Sequence, residues 1–268
     1  MTDTPDIAEV GRRRLIWFSS GAASAVTAKL VLRDHPDAEV VQCDTGSEDD
    51  DNHRFAADCV RWFNAPVITL KSDEYQDTFD CWEKTGWMSG PKGARCTGEM
   101  KVAPRLAYQR PNDIHVFGYT ADHLDVERAR RLRETYPELT VETPLIDRGI
   151  TKAGCLAIIE GAGIALPRTY AMGFPNANCL KTGCAKAVSP AYWALYRKCF
   201  PDNFARTAAL CRKLGVRLAI LGQEKDEDGK ARNIRAFIDD IPLDQPTLNP
   251  IAPACDFLCH IAEQDIAA

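Results

Sequence analysis

The sequence predicts an α/β fold, a doubly wound, Rossmann-like parallel sheet carrying a cysteine-containing C-terminal lobe. Three observations lead there. Short β-branched or aromatic runs alternate with helical ones through the first half, in βαβα order with short connections. The first run, Leu15-Ile16-Trp17, passes through Phe18-Ser19-Ser20-Gly21-Ala22-Ala23-Ser24 into a helical segment. Strand, small residues, helix start is the pattern of an anion-binding turn, because small side chains let backbone N–H groups and the helix dipole approach a phosphate. The second apolar run, Ala38 to Cys43, ends in Asp44-Thr45-Gly46-Ser47-Glu48. Polar residues at the carboxyl end of such a strand are where open α/β sheets bind nucleotides.

The elements follow in order. Arg14–Phe18 reads as a strand, Ala22–Arg33 as a helix, Glu39–Cys43 as a strand, Asp50–Phe63 as a helix, Val67–Leu70 as a strand and Glu74–Lys84 as a helix. After a glycine-rich loop come a helix over Thr97–Tyr108, a strand over Ile114–Tyr119 and a helix over Asp125–Thr135. A strand over Val141–Ile146 and a helix over Lys152–Gly161 continue the alternation. From Pro167 to about Pro201 the texture changes, with Tyr, Trp, Pro, Asn and Cys crowded together. A helix over Asp202–Leu214, a strand over Val216–Leu221 and a charged, then proline-rich tail complete the chain. The expected organisation is a nucleotide-binding α/β domain over 1–165 and a cysteine-bearing lobe over 166–268 packed on it, unless the two are continuous.

At 268 residues, with 45% hydrophobic and 26% charged side chains, the chain can bury a sizeable core. Its formal charge of −5 argues against bulk electrostatic wrapping of nucleic acid but leaves a local basic face over Arg128, Arg130, Arg131 and Arg133. The apolar runs are shorter than the ~18 residues of a membrane span. Met1 to Val10 is acidic and polar without an apolar core, so no signal peptide and a cytoplasmic location are expected.

Eleven cysteines are unusual for such a chain, and without a secretion signal a disulfide framework is the poorer reading. Cys43, Cys59, Cys155, Cys199 and Cys211 sit singly in strand or helix patterns and read as small buried hydrophobes. Three other groups lie in loops or beside turn formers: Cys96, the pair Cys179 and Cys184, and the pair Cys255 and Cys259. Thiolates in that number select zinc or an iron–sulfur cluster. Neither pair has the C-x2-C spacing of a zinc knuckle, which orders the readings as cluster, then zinc, then unligated. His35, His53, His115, His123 and His260 show no paired metal-ligand spacing.

With these residues in hand, the chain resembles the phosphoadenosine-phosphosulfate (PAPS) reductase group of the PP-loop, or N-type ATP pyrophosphatase, superfamily, and more narrowly its small members often found in phage genomes. The resemblance runs from about Leu15 to Cys259. It rests on Phe18 to Val26, on Asp44 to Glu48 with Asp51-Asn52 and Arg54-Phe55, and on Arg95-Cys96 with Lys101-Val102. It continues through Gly118-Tyr119-Thr120-Ala121-Asp122 with Glu127-Arg128, Asn178-Cys179 to Cys184, Tyr192-Trp193 and Phe200-Pro201.

The resemblance implies an adenine-nucleotide site in which Ser19, Ser20, Gly21, Ala22, Ala23 and Ser24 hold phosphates, Asp44, Thr45, Gly46 and Ser47 lie near the adenosine, and Gly118 and Arg131 contribute. It also implies a [4Fe–4S] cluster on Cys96, Cys179 and Cys184, with Cys259 or Cys255 as the fourth ligand. The working assignment gives Cys259 to the cluster and Cys255, with Arg128 and Lys101, to catalysis. Ala22 and Ala23 stand where PP-loops commonly carry polar or acidic residues used near magnesium, so the magnesium requirement is left open. The tail Cys255-Asp256-Phe257-Leu258-Cys259-His260 is only loosely similar to the reductase tail.

Two enzymatic readings follow. In the first, a substrate oxygen is adenylated by ATP and sulfur from sulfide or a persulfide protein replaces it; the acceptor is a tRNA or other nucleic-acid base, a nucleotide or a small metabolite. In the second, PAPS or its adenylyl-sulfate analogue APS is itself reduced by a thiolate, with a thioredoxin-like reductant and release of sulfite; Arg95, Lys101, Arg128 and Arg131 then clamp the anions. A third, non-enzymatic reading is a nucleotide-binding cluster or zinc protein with a disabled loop. Homodimers are common among resembling proteins. Tyr170, Phe174, Tyr192, Trp193 and Tyr196 offer a base-stacking surface, against the simpler reading of core packing.

Overall fold

The computed structural model describes residues 11–90, 93–177 and 179–254. Its centre is a five-stranded, all-parallel sheet. The strands are β1 (Arg14–Trp17), β2 (Glu39–Asp44), β3 (Val67–Lys71), β6 (Ile114–Phe117) and β7 (Thr140–Glu142), in the order β3-β2-β1-β6-β7. Helices α1 (Ala22–Asp34), α2 (Asp51–Phe63) and α6 (His123–Thr135) supply three of the crossovers, and α8 (Lys152–Gly161) follows the last strand. The chain runs outward from β1 through β2 to β3, then returns to the other side of β1 for β6 and β7. That reversal makes a switch point between β1 and β6, whose carboxyl ends open a crevice.

One face of the sheet is dry. Ile16, Val40, Ile114 and Val116 pack with α1 and with Leu156, Ile158 and Ile159 of α8 into a single core. On the opposite face, Trp17, His115 and Phe117 stack in sequence. Period-2 alternation thus separates Ile16, Ile114 and Val116 on one side from Trp17, His115 and Phe117 on the other, where Leu15 and Val41 are buried as well.

The second core joins segments far apart in sequence. Phe79 and Trp82 of α3 (Thr78–Thr85), then Met88 and Ala94, pack with Phe174, Leu180, Tyr192, Trp193 and Tyr196. The last three belong to α10 (Pro190–Cys199), and α11 (Pro201–Leu214) adds Phe204, Leu210 and Cys211. The aromatic cluster is therefore core, not a base-stacking shelf: Trp193 and Tyr196 are fully buried.

Several element boundaries differ from expectation for identifiable reasons. The helix expected from Glu74 starts at Thr78, because the Asp77 side chain accepts the Asp80 N–H at 2.7 Å and caps it there. A tiny antiparallel pair, β4 (Ser89–Gly90) with β5 (Gly93–Ala94), precedes the next helix. That helix opens as α4 (Arg95–Thr97), widens into a π-helical turn over Gly98–Val102 and resumes as α5 (Ala103–Tyr108). Pro104 has no N–H to donate backward, and its ring clashes with the turn before it, which favours the wider turn. The strand expected over Val141–Ile146 stops at Glu142, since Pro144 opens the short helix α7 (Pro144–Asp147). After α9 (Arg168–Ala171) and the two long helices, the strand expected over Val216–Leu221 instead begins at Ala219. This strand, β8 (Ala219–Lys225), pairs antiparallel with β9 (Ala231–Ala236) in a hairpin separate from the parallel sheet. Cys59, Cys155 and Cys211 are buried as expected, whereas Cys43 and Cys199 are half-buried.

Candidate functional site

The turn after β1 is rigid and closed on itself. Ser20 takes a left-handed conformation (φ 54°) and donates its hydroxyl to Gln42 Oε1 at 3.1 Å, tying the turn to β2. Ser24 Oγ accepts the Ser19 N–H and donates to the Gly21 carbonyl, both at 3.0 Å. Gly21, the residue capping α1, provides no side chain, and the Tyr170 hydroxyl takes that place by accepting the Ala22 N–H at 3.3 Å. Lys152 Nζ donates to the same hydroxyl at 3.1 Å. Ala22 and Ala23 are buried and bring no functional atoms beyond their backbone. Gly118 follows β6, and a Cβ there would stand 2.8 Å from Ser24 Cα and 2.9 Å from Ser24 N. Its lack of a side chain is what lets the two lips of the switch point touch.

The loop after β2 spends most of its polar atoms internally. Thr45 and Ser47 are fully buried. Thr45 Oγ1 donates to Glu48 Oε1 at 2.6 Å, and Ser47 Oγ lies 2.8 Å from Thr78 Oγ1, which is in turn 2.7 Å from Thr182 Oγ1. Asp44 accepts the Gly46 N–H at 2.8 Å and pairs with Lys71. Gly46 has φ +66°, and a side chain there would run into the Gln76 carbonyl. Two contacts bind this loop region to the cysteine segment: Lys181 N–H to the Ser47 carbonyl at 3.0 Å, and Asn52 Nδ2 to the Ala177 carbonyl at 2.7 Å.

Cys96, Cys179 and Cys184 come from separate stretches of sequence into one electrostatic neighbourhood with Lys101. Burial works against the Lys101 charge, but Cys179, Glu48, Cys96 and Cys184 outweigh it and raise its pKa. Burial pushes the Cys179 thiol up to about 12 against the opposing pull of Lys101. Burial also raises Cys96, while Lys101 and Lys186 favour its thiolate. The Lys186 ammonium is depressed by burial and by Arg128 and Lys101, so Lys101 and Lys186 are the two cations beside the thiols and Arg128 acts on Lys186. Cys184 N–H donates to the Tyr192 hydroxyl at 3.0 Å, and Cys179 holds a left-handed backbone (φ 58°). Cys43 joins the edge of the group, its Sγ 3.6 Å from the Lys101 carbonyl.

Among the described residues, no three His, Cys, Asp or Glu side chains are placed to hold a single metal ion. A cubane makes a different demand, because each thiolate binds its own iron and the ligands stand farther apart. Two observations fit that larger group: the three thiols share Lys101 as a neighbour, and the buried Trp82 indole N–H beside Cys96 has no hydrogen-bond partner. Cys255 and Cys259, the remaining candidates for ligand and catalytic thiol, lie outside the described residues.

The arginine face is largely self-paired. Arg130 bridges Glu127 and Glu134, Arg128 pairs with Asp125 at 2.7 Å and lies over the Tyr119 ring, and Arg131 Nε donates to the Glu127 carbonyl. Arg128 is the member of this helix whose charge acts on Lys186; Arg131 is exposed. Arg95 pairs with Glu99. Sequence reasoning missed Lys186 and Trp82. Only Lys186, two residues beyond Cys184, carried a local signal. Two surface grooves, one between Arg54, Trp62 and Gly163 and one between Leu30, Glu142 and Arg148, lie away from these residues. No described helix is long and apolar enough to cross a membrane.

No protein-family model matches the chain, and no curated protein does. Among solved structures, the chain is similar to phosphoadenylyl-sulfate (PAPS) reductase from Candida auris in its phosphate complex. The TM-score is 0.47 at 12% sequence identity, over 63% of this chain and 81% of that one.

Proposed function

We propose that this chain is an adenine-nucleotide-binding enzyme of sulfur chemistry, a sulfurtransferase dependent on a [4Fe–4S] cluster. The observation that carries the reading is the gathering of Cys96, Cys179 and Cys184 with Lys101 and Lys186, with Arg128 acting on Lys186. This group is linked through Lys181–Ser47 and Ser20–Gln42 to the turn at the sheet's switch point. Cys96, Cys179 and Cys184, with Cys259 or Cys255, would hold the cluster, which supplies iron able to carry sulfide or electrons. Backbone N–H groups of the Ser19–Ser24 turn would hold the nucleotide phosphates, with the dipole of α1 behind them. A substrate oxygen would attack the α-phosphorus of ATP and expel pyrophosphate; sulfide would then displace AMP from the activated atom. Phosphoryl transfer of this kind depends on positioning and charge neutralisation, which Lys101, Lys186 and Arg128 supply. No carboxylate stands at Ala22 or Ala23 to help hold magnesium.

Sulfonucleotide reduction is the second reading, favoured by the same three cations, which suit a sulfate group beside a thiolate. A silent, nucleotide-binding protein is the third, favoured by the two alanines.

One experiment separates them. Protein purified anaerobically is analysed for iron and acid-labile sulfide, then given ATP with sulfide, or PAPS with thioredoxin. About four irons and four sulfides per chain, with release of AMP and pyrophosphate in the presence of the acceptor, support sulfur transfer. Sulfite from PAPS supports the reductase. Tight nucleotide binding with neither product supports the silent protein, and absence of iron and sulfide refutes the cluster.

A further inference from the structure

Trp82 is 1% exposed on α3, held against the Phe79 ring and packed in the second core, against which Cys96 and Cys184 also lie. Its Nε1 is buried without a hydrogen-bond partner. An indole N–H can only donate, and leaving it unpaired costs about 1–3 kcal/mol. A phenylalanine would fill an apolar core without that penalty, so the N–H calls for an acceptor. Cys96 is the neighbour. The indole N–H lies beside Cys96, short of the geometry of a formed hydrogen bond. A neutral thiol is a weak acceptor, whereas bonds to charged acceptors are roughly twice as strong as neutral ones.

We propose that Trp82 is a positioning residue for the cluster, its indole N–H donating to the Cys96 sulfur when that sulfur is a metal-bound thiolate. This rests on the reading of Cys96 as a ligand. Helix α3 is fixed at its start by the Asp77 cap and along its length by Phe79, so the donor's direction is set by the fold. The positioning is second-layer support of the kind that orients metal ligands and tunes them. Hydrogen bonds to cluster sulfurs are one determinant of reduction potential, and a donor there favours the more negative, reduced form.

The test compares holoprotein with Trp82→Phe, both prepared anaerobically. Because Trp82 is a core residue, a second variant carries 3-benzothienylalanine at position 82, which keeps the bicyclic shape and lacks the N–H. Iron and sulfide content, midpoint potential and pulsed EPR of the reduced cluster are measured. The expected result is near-normal iron and a reduction equilibrium shifted about tenfold toward the oxidised form, about 59 mV for one electron. One exchangeable proton coupling is also lost in both variants. Unchanged potential and coupling in iron-loaded variants overturn the proposal while leaving the cluster intact. Wild-type protein without iron or sulfide overturns the cluster reading and the Trp82 role with it.

Discussion

Gly118→Ala probes the switch point directly. The new Cβ would meet Ser24 Cα at 2.8 Å, Ser24 N at 2.9 Å and the Ala23 carbonyl carbon at 3.1 Å. Carbon contacts are comfortable at about 3.5–4.0 Å, so β6 and the first turn of α1 must separate by several tenths of an ångström. All three atoms are backbone, and no side chain can rotate to make room. The first turn of α1 is also tied to Tyr170, Gly21 and Ser19, so it moves as a unit or not at all. Overpacking of this kind costs about 1–3 kcal/mol, which at about 2–4 °C per kcal/mol for a chain of this size lowers Tm by about 4–8 °C for a 2 kcal/mol loss. Gly98→Ala is the control. Nothing lies within 4 Å of its Cβ position, it sits in a helical segment, and alanine there is neutral or stabilising by up to about 1 kcal/mol. Calorimetry of both variants reads the difference, and titration with ATP reads the turn. The Gly118 variant loses stability and binds nucleotide at least about tenfold more weakly, the equivalent of 1.4 kcal/mol. If the two variants melt together and bind alike, the close approach is not a constraint and the argument for the switch-point site fails.

Two further expectations concern pH and the thiols. Burial, with the Arg105 charge, lowers the pKa of His115 from 6.5 to about 4. The native histidine stays neutral where the unfolded one takes a proton, so its contribution is full above pH 6.5 and declines toward pH 4. The loss is about 3 kcal/mol. Urea unfolding across that range should show it, and His115→Gln should flatten that decline; an equally steep curve in the variant would exonerate His115. Cys179→Ser and Cys184→Ser should each abolish the brown iron chromophore, whereas Cys81→Ala, buried beside Cys96 in a small core with Tyr75 and Met100, should keep it. Normal iron in both serine variants would remove those cysteines from the ligand set.

Much of the fold was legible because its information is local. Alternating strand and helix periods announced the parallel sheet, and Ser19 to Ser24 announced the turn at its switch point. The strand expected from Val216 starts at Ala219, and an apolar stretch carries no mark of whether it joins a parallel sheet or folds into a hairpin. Pro144 could have been read as the end of the strand before it. The site was legible only as a set of residue types. Cys96, Cys179, Cys184, Lys101 and Arg128 stood out one by one, whereas Trp82 looked like any core aromatic.

The sequence by itself determined the α/β class, the order of its elements, the small-residue turn after β1 and a supply of loop thiols beyond ordinary core needs. Tertiary structure decided which of these meet. It placed Gly118 against Ser24, turned the Tyr192–Trp193–Tyr196 aromatics into core, paired Arg128 and Arg130 with carboxylates of their own helix, and gathered thiols with cations from distant segments. The physical reason is that periodicity, capping and turn chemistry act over a few neighbouring residues. Burial, charge pairing and ligand geometry depend on residues that only the completed sheet and the second core bring side by side.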